Sequence, residues 1–416
     1  MRMRNNIFGF CRILSGFFFL VLLLTGFPSR ATDSSQVVIV IDPGHGGENE
    51  GTKEGAFLEK DMDLYTALKV KEYLSDYDWI QVYLTRESDC DVSFRERAEF
   101  AKAVNADYLI SLHYNASVNH DLFGSEVWIS SQLEANRNCY QIASFFLKEF
   151  EEKGLFNRGI KVKLNDNKQD YYAIIRETAK YDIPAMIVEH CHVDEERDAG
   201  FCDTYDKLDH FAYADACAIL KALSEEHPSF NNIAEEDLSA PDVCEIELSA
   251  LDFDTAKASL KLYAADFDSC LLYYDYCIDG SNFSKRMPWP DTNPITMKST
   301  DVITLDIELL KNKTRSIRFR VYNLYDIPTE SNVLTVSWPH EEEVSLPVVA
   351  IPETEEELYS NSPENKSLGE SEEIHLDLGN RPIIAFCFIC IASVIAILCV
   401  ATLFLIKNSH TPRRRK

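Results

Sequence analysis

The chain has 416 residues, more than one ordinary core accommodates, so two or more folded units are expected. Lys and Arg total 41 against 68 Asp and Glu, a formal charge of -27. That balance excludes the basic face a nucleic-acid binder needs, and no nucleic-acid partner is expected.

Arg2 and Arg4 precede an apolar run from Phe17 to Leu24, and Ser29-Arg30-Ala31 follows with small residues where a signal peptidase reads. Residues 1–31 therefore read as a cleavable signal peptide. An uncleaved anchor is the alternative, disfavoured because the apolar core is short for a span.

Residues 35–226 alternate strand and helix patterns, the signature of an α/β unit. Val37-Val38-Ile39-Val40-Ile41 is a β-branched run that ends in Asp42-Pro43-Gly44-His45-Gly46-Gly47, a buried strand followed by a turn presenting a histidine. Tyr108-Leu109-Ile110-Ser111-Leu112-His113 and Ala185-Met186-Ile187-Val188-Glu189 repeat the form. Shorter strands are expected at 82–84 and 127–129. Helices are expected where Leu64 and Leu68, then Phe94, Ala98 and Ala101, then Ile142, Phe146 and Phe150, then Phe211, Ala214 and Ala218 share core faces. Three strands delivering His45, His113 and Glu189 to their C-terminal ends suggest a metal site at one edge of a sheet.

Residues 227–241 are polar and read as a linker. From 242 to 339 the pattern changes to short strands and turns. Asp279-Gly280 is a turn signal, and Ser316 to Tyr322 alternates polar and apolar residues with the period of a half-buried strand. A β-sandwich loosely resembling fibronectin-type or immunoglobulin-like modules is expected there. Residues 340–380 are acidic and poor in aromatics, the composition of a disordered stalk. Residues 383–406 carry no charge and are long enough to cross a bilayer, and the tail 407–416 contains Arg413-Arg414-Arg415-Lys416. Positive charge stays inside, so a single-pass protein of the cell membrane is expected, with a cytoplasmic C-terminus and everything between the two apolar runs outside. Eight of the 12 cysteines fall in that outer portion, in no paired CxxC pattern, so no cysteine metal site is expected and the disulfide state stays open.

Asp42-Pro43-Gly44-His45-Gly46-Gly47, Glu59-Lys60-Asp61, Ser111-Leu112-His113-Tyr114-Asn115-Ala116 and Val188-Glu189, in this order, resemble the zinc-dependent N-acetylmuramoyl-L-alanine amidases of bacterial cell walls, the Amidase_3 family. The resemblance covers about residues 36–222 and implies a mixed sheet flanked by helices. It further implies that His45, Glu59 and His113 hold Zn2+, that Glu189 is the catalytic carboxylate and that peptidoglycan is the substrate. The residue types suit that chemistry. Catalytic zinc takes three N or O ligands and keeps a position for water. A neighbouring carboxylate can take the water's proton and pass it to the leaving nitrogen.

Each residue also has a plainer role open to it. His45 could cap its turn, and His113 could be a satisfied core histidine. Glu59 could answer the helix dipole, with Glu54 the rival ligand. Glu189 could pair with Arg176 or Arg158. Asp42 and Ser111 are candidates to support the metal-binding histidines from behind, although turn chemistry accounts for Asp42 equally well. Asn115 could contact substrate or hold its loop, and Arg97 is expected to be structural. After Glu189 the chain departs from the family's usual continuation and reads His190-Cys191-His192-Val193-Asp194. His192 could assist proton transfer or simply pack, and packing is the role expected of it.

The leading expectation is a membrane-anchored zinc amidase that cuts the bond between N-acetylmuramic acid and L-alanine in wall remodelling. In that layout the sandwich is a spacer. Two alternatives stand beside it: a catalytically inactive peptidoglycan-binding or regulatory protein of the same fold, and a zinc exopeptidase or deacylase.

Overall fold

The computed structural model describes residues 36–224 and 233–338. The segments expected as signal peptide (1–31), acidic stalk (340–380), membrane span (383–406) and basic tail (407–416) lie outside the described residues, as does the linker up to residue 232. No helix among the described residues is long and apolar enough to cross a membrane.

The first half alternates strands and helices. In chain order these are β1 (Val37–Pro43), α1 (Glu59–Leu74), β2 (Ile80–Leu84), α2 (Phe94–Ala103), β3 (Tyr108–Asn115), β4 (Ser125–Ile129) and α3 (Leu133–Glu152). They continue with β5 (Asn157–Lys161), α4 (Ala173–Ala179), β6 (Ala185–His192), α5 (Glu196–Ala199) and α6 (Tyr205–Ser224). The six strands form one sheet in the order β2-β1-β3-β6-β4-β5. The pairs β1/β2, β1/β3, β3/β6 and β4/β5 are parallel, and β4/β6 is antiparallel, so the sheet is mixed as expected. Helices cover both faces, which is why β1 and β3 read as continuous apolar runs. On one face Ile39, Ile41, Ile110 and Leu112 pack with Met62, Ala67 and Val70 of α1, Tyr140 and Phe146 of α3 and Phe211 of α6. On the other, Val38, Val40, Leu109, Ala185 and Ile187 pack with Ala101 of α2 and Ile174 and Ile175 of α4.

Two of the expected helix faces are turned. Phe94 is 51% exposed while Ala98 and Ala101 are fully buried; Phe94 is the first residue of α2, inside the Ser93–Glu96 capping box. Leu68 is 40% exposed, and the buried stripe of α1 runs instead through Glu59, Asp63, Thr66, Ala67, Val70 and Leu74. The helix turns a face with two carboxylates at its start towards the end of the sheet.

The second half is built from β7 (Val243–Asp252), β8 (Lys257–Ala265), β9 (Leu271–Ile278), β10 (Met287–Pro288), β11 (Val302–Glu308), β12 (Thr314–Asn323), β13 (Pro328–Glu330) and β14 (Leu334–Ser337). One antiparallel sheet runs β10-β9-β12-β13, with β14 also on β12, and a second runs β11-β8-β7. Ile246, Leu260 and Leu262 meet Leu271, Trp289, Ile317, Phe319 and Val321 in the layer between them.

This β-structured half is docked on the first, which changes the spacer expectation. Phe123 joins Leu272, Tyr273, Tyr322 and Leu324 in one buried cluster, with Phe156 against it. Arg158, 1% exposed, donates to Glu126 at 2.9 Å, to the Tyr273 hydroxyl at 2.8 Å and to Asp326 at 2.7 Å. The described part of the linker is held too: Ala234 exchanges two backbone hydrogen bonds with the side chain of Asn136, and Glu236 accepts from the Leu164 amide.

Candidate active site

The C-terminal edge of the sheet carries the chemistry. β1 ends at Pro43, and the chain turns at once through His45, whose φ of 53° lies in the left-handed region. Reciprocal backbone bonds between Gly46 and Asn49 at 2.9 and 3.1 Å close this turn. Three cations hold it from below. Arg97 donates to the carbonyls of Pro43 and His45, Arg86 to those of Pro43 and Gly44, and Lys60 to that of Gly47. The expected structural role of Arg97 is thus visible as a clamp on the His45 loop. Gly44 has a steric reason: a Cβ there would fall inside the His113 ring.

Glu59 is the first residue of α1. No side chain caps that helix; the amides of Glu59 and Lys60 donate instead to the carbonyls of Thr52 and Glu50 in the preceding loop. The loop therefore fixes where Glu59 points. Glu59 Oε2 accepts from the Thr52 amide at 2.7 Å. Its Oε1 stands 3.0 Å from His45 Nε2 and 3.0 Å from His113 Nδ1. Glu54 is exposed and takes no part.

The far nitrogens of both imidazoles have partners. His45 Nδ1 lies 3.0 Å from Asn49 Oδ1. His113 Nε2 lies 3.2 Å from Ser111 Oγ, which donates to Asp42 Oδ2 at 2.8 Å; Asp42 Oδ1 accepts from Arg97 at 2.7 Å. A hydroxyl that gives its proton to Asp42 can only accept from His113. In a neutral ring the Nδ1 lone pair is then left facing Glu59, and only a ring protonated at both nitrogens also donates to Glu59. Asp42 and Ser111 thus stand where groups that orient a metal-binding histidine stand.

Burial pulls the His45 imidazole down, but the hydrogen bond and charge of Glu59 and the contact with Asn49 outweigh it, and the net shift is upward. Burial pushes Glu59 up, but the hydrogen bonds and charges of His113 and His45 outweigh it and hold the carboxyl at about 2.

Glu189 lies beside this group. In the sheet register it sits opposite His113 on one side and opposite Glu126 on the other. Glu126 is neutralised by Arg158 at 2.9 Å and Lys161 at 2.7 Å. Among the described residues no cation pairs with Glu189, and its Oε2 is buried without a hydrogen bond. Burial first, then the charges of Glu59 and Glu126, push its carboxyl well above the usual range. The two arginines considered as its partners are engaged elsewhere, Arg158 as above and Arg176 on the carbonyls of Asp170 and Tyr171.

Two further candidates do not join the group. Asn115 donates to Glu126 at 3.0 Å and accepts from the Ala116 amide, tying the end of β3 across β6 to β4. His192 is 1% exposed and bonds the Gly124 carbonyl through Nδ1. A register shift between β3 and β6 past His113 sets it opposite Asn115 and buries it. Of the two roles open to His192, its burial favours packing over proton transfer.

The residue that the sequence reading missed is Asp63. With His45, Glu59 and His113 it forms a group, among the described residues, whose ligand atoms all lie within 4.8 Å of one another. Its signal was the spacing of four from Glu59 on a buried helical stripe. Two imidazole nitrogens, a carboxylate they share and unpartnered buried carboxylate oxygens suit a divalent cation. The side chains of His45 and His113 remain 22% and 17% exposed, so the group opens to solvent on one side.

Residues 39–221 match the family described as N-acetylmuramoyl-L-alanine amidase, Amidase_3. The α/β half of the chain is an Amidase_3 domain. A putative N-acetylmuramoyl-L-alanine amidase of Buchnera aphidicola subsp. Schizaphis graminum is 32% identical over 134 residues, 32% of this chain and 56% of that protein. N-acetylmuramoyl-L-alanine amidase CwlM of Bacillus licheniformis is 33% identical over 168 residues, 39% of this chain and 59% of that protein. The chain therefore spans less than two thirds of the length of these relatives. The solved catalytic domain of CwlV, an N-acetylmuramoyl-L-alanine amidase from Bacillus (Paenibacillus) polymyxa var. colistinus, is 26% identical with a TM-score of 0.40, covering 45% of this chain and 99% of that one.

Proposed function

We propose that this Amidase_3 domain is a zinc-dependent N-acetylmuramoyl-L-alanine amidase that hydrolyses the amide between N-acetylmuramic acid and L-alanine in peptidoglycan. The observation that carries the reading is the meeting of His45 Nε2, His113 Nδ1 and Glu59 Oε1, each pair with Glu59 at 3.0 Å, beside a carboxylate with a buried, unpartnered oxygen, Glu189.

In this reading His45, Glu59 and His113 hold the ion. Zinc supplies Lewis acidity towards an amide carbonyl and makes water acidic enough to ionise near ~7. Ser111 and Asp42 fix the ring orientation and tautomer of His113, and Asn49 does the same for His45. Glu189 takes the proton of the attacking water and returns it to the leaving nitrogen. Its environment suits the delivery, because a carboxyl raised by burial and by Glu59 and Glu126 holds a proton until the leaving nitrogen needs it.

The setting is also proposed. Residues 1–31 export the chain, 383–406 retain it in the membrane with 407–416 inside, and 340–380 form a stalk that lets the enzyme reach the wall. Wall remodelling outside the membrane is the process this layout serves.

The test uses the purified full chain. Zinc content is measured, and digested wall is analysed by mass spectrometry. One equivalent of metal, glycan strands freed of peptide and intact stem peptides are expected. Glu189→Gln should keep the metal and lose turnover, whereas His45→Ala should lose both. Products in which the muramic acid–alanine bond survives would overturn the amidase reading.

A further inference from the structure

Asp63 has no task in a three-ligand site, yet the structure isolates it with care. It is fully buried, and neither carboxylate oxygen has a hydrogen-bond partner. The two guanidinium groups nearest in charge are occupied. Arg86 donates to the carbonyls of Pro43, Gly44, Lys60 and Ser88, and Arg97 to Asp42 and to the carbonyls of Pro43, His45 and Val92. One helical turn separates Asp63 from Glu59, so the two carboxylates lie one above the other on the same face. A Coulomb pair of like charge in that position is unfavourable unless a cation lies beside it or one member takes up a proton.

We infer that Asp63 is a fourth protein ligand of the cation held by His45, Glu59 and His113. The inference rests on the metal-dependent reading above and extends it. The placement of one Asp63 oxygen within 4.8 Å of the other three donor atoms puts it in reach of a shared ion after a small closing of the group. Two imidazoles and two carboxylates leave a divalent ion formally neutral, where two imidazoles and one carboxylate leave it with one positive charge. The extra carboxylate raises retention of the ion and shifts preference towards ions that accept oxygen donors and more than four ligands. It also means that room for water requires a coordination number above four.

The experiment compares the full chain with its Asp63→Asn variant, which keeps the shape and removes the charge. Zinc affinity is measured by chelator competition, the visible spectrum of the Co2+-loaded protein is recorded, and thermal unfolding is followed with and without zinc. Asp63→Asn should bind zinc about tenfold or more weakly. Its Co2+ spectrum should change. Its metal-free form should melt no lower than the unmutated protein, while the rise in melting temperature on adding zinc shrinks. Zinc affinity within about twofold of the unmutated chain, or an unchanged Co2+ spectrum, overturns the role of Asp63 and leaves the three-ligand reading standing. No metal binding by the unmutated chain overturns both. Asp63→Ser replaces the asparagine variant if that one does not fold.

Discussion

His190 Nδ1 lies 2.8 Å from the carbonyl oxygen of His113, while its Nε2 lies 3.0 Å from Asp215 Oδ2. The residue after the proposed catalytic carboxylate thus holds the backbone of a proposed metal ligand. Both members of the pair are fully buried, and Tyr114, Phe150 and Phe211 surround the imidazole with ring centroids 4.7 to 5.2 Å away. Burial raises the Asp215 carboxyl, and the charge and hydrogen bond of His190 oppose that rise. Removing one partner leaves the other buried and uncompensated. Asp215→Ala is expected to cost about 3–5 kcal/mol in urea unfolding of the metal-free chain. A loss below about 1 kcal/mol would mean the pair is not what holds β3 and β6 in register.

The path from His113 through Ser111 to Asp42 gives a second expectation. Ser111→Ala removes the acceptor of the Nε2 proton and leaves Asp42 still bound by Arg97. The imidazole should then sample other orientations. Zinc affinity should fall about 10- to 100-fold in chelator competition, with little change in metal-free stability. Equal affinity in the two proteins would remove the orienting role from Ser111.

The contact between the two halves makes Arg158 a third test. Arg158→Ala strips a guanidinium from buried Glu126 and from half-buried Asp326. The expected loss is about 3–5 kcal/mol. A chain ending at residue 224 should fare worse, since it also exposes Phe123 and Phe156 and leaves Arg158 without Tyr273. Size-exclusion chromatography and urea unfolding measure both. An isolated α/β half as stable as the longer chain would restore the sandwich to the role of a spacer.

The sequence made the strands and the two converging histidines legible because β-branched runs that end in a Pro-Gly turn or a histidine carry their own direction; Glu59, on a helix, came from the resemblance alone, and Glu189 stands beside the group without joining it. Asp63 was not legible for a physical reason. Leu64 and Leu68 supplied an apolar pair at helical spacing, and hydrophobicity assigned them the core, whereas α1 buries the stripe through Glu59, Asp63 and Val70 because its first turn faces the site. The docking of the second half was hidden for a similar reason. Phe123, Phe156 and Tyr273 lie far apart in sequence and follow no local period, so their meeting depends on tertiary packing alone. His192 shows the same limit from the other side: a histidine three residues past Glu189 left packing and proton transfer both open, and a register shift in the sheet sets it opposite Asn115 in the core.

His192 yields the last expectation, a dependence of stability on pH. Burial, then the charge of Arg158, pull the imidazole down to about 4 in the folded chain, against opposing pulls from Glu126, the Gly124 carbonyl and Asp194. In the unfolded chain the group titrates near ~6.5. A base with a depressed folded pKa takes up its proton in the unfolded state first. Its contribution is therefore fully present above about 6.5 and is lost as pH falls towards 4. The loss attributable to this group is on the order of 3 kcal/mol across that interval. The measurement is a difference between two proteins. Urea unfolding of the unmutated chain and of His192→Gln is followed from pH 8 to pH 4, and the glutamine variant should show the shallower decline. Parallel curves would mean that His192 does not carry its proton differently in the two states, and the packing assigned to it around Glu126, Arg158 and Gly124 would have to be redrawn.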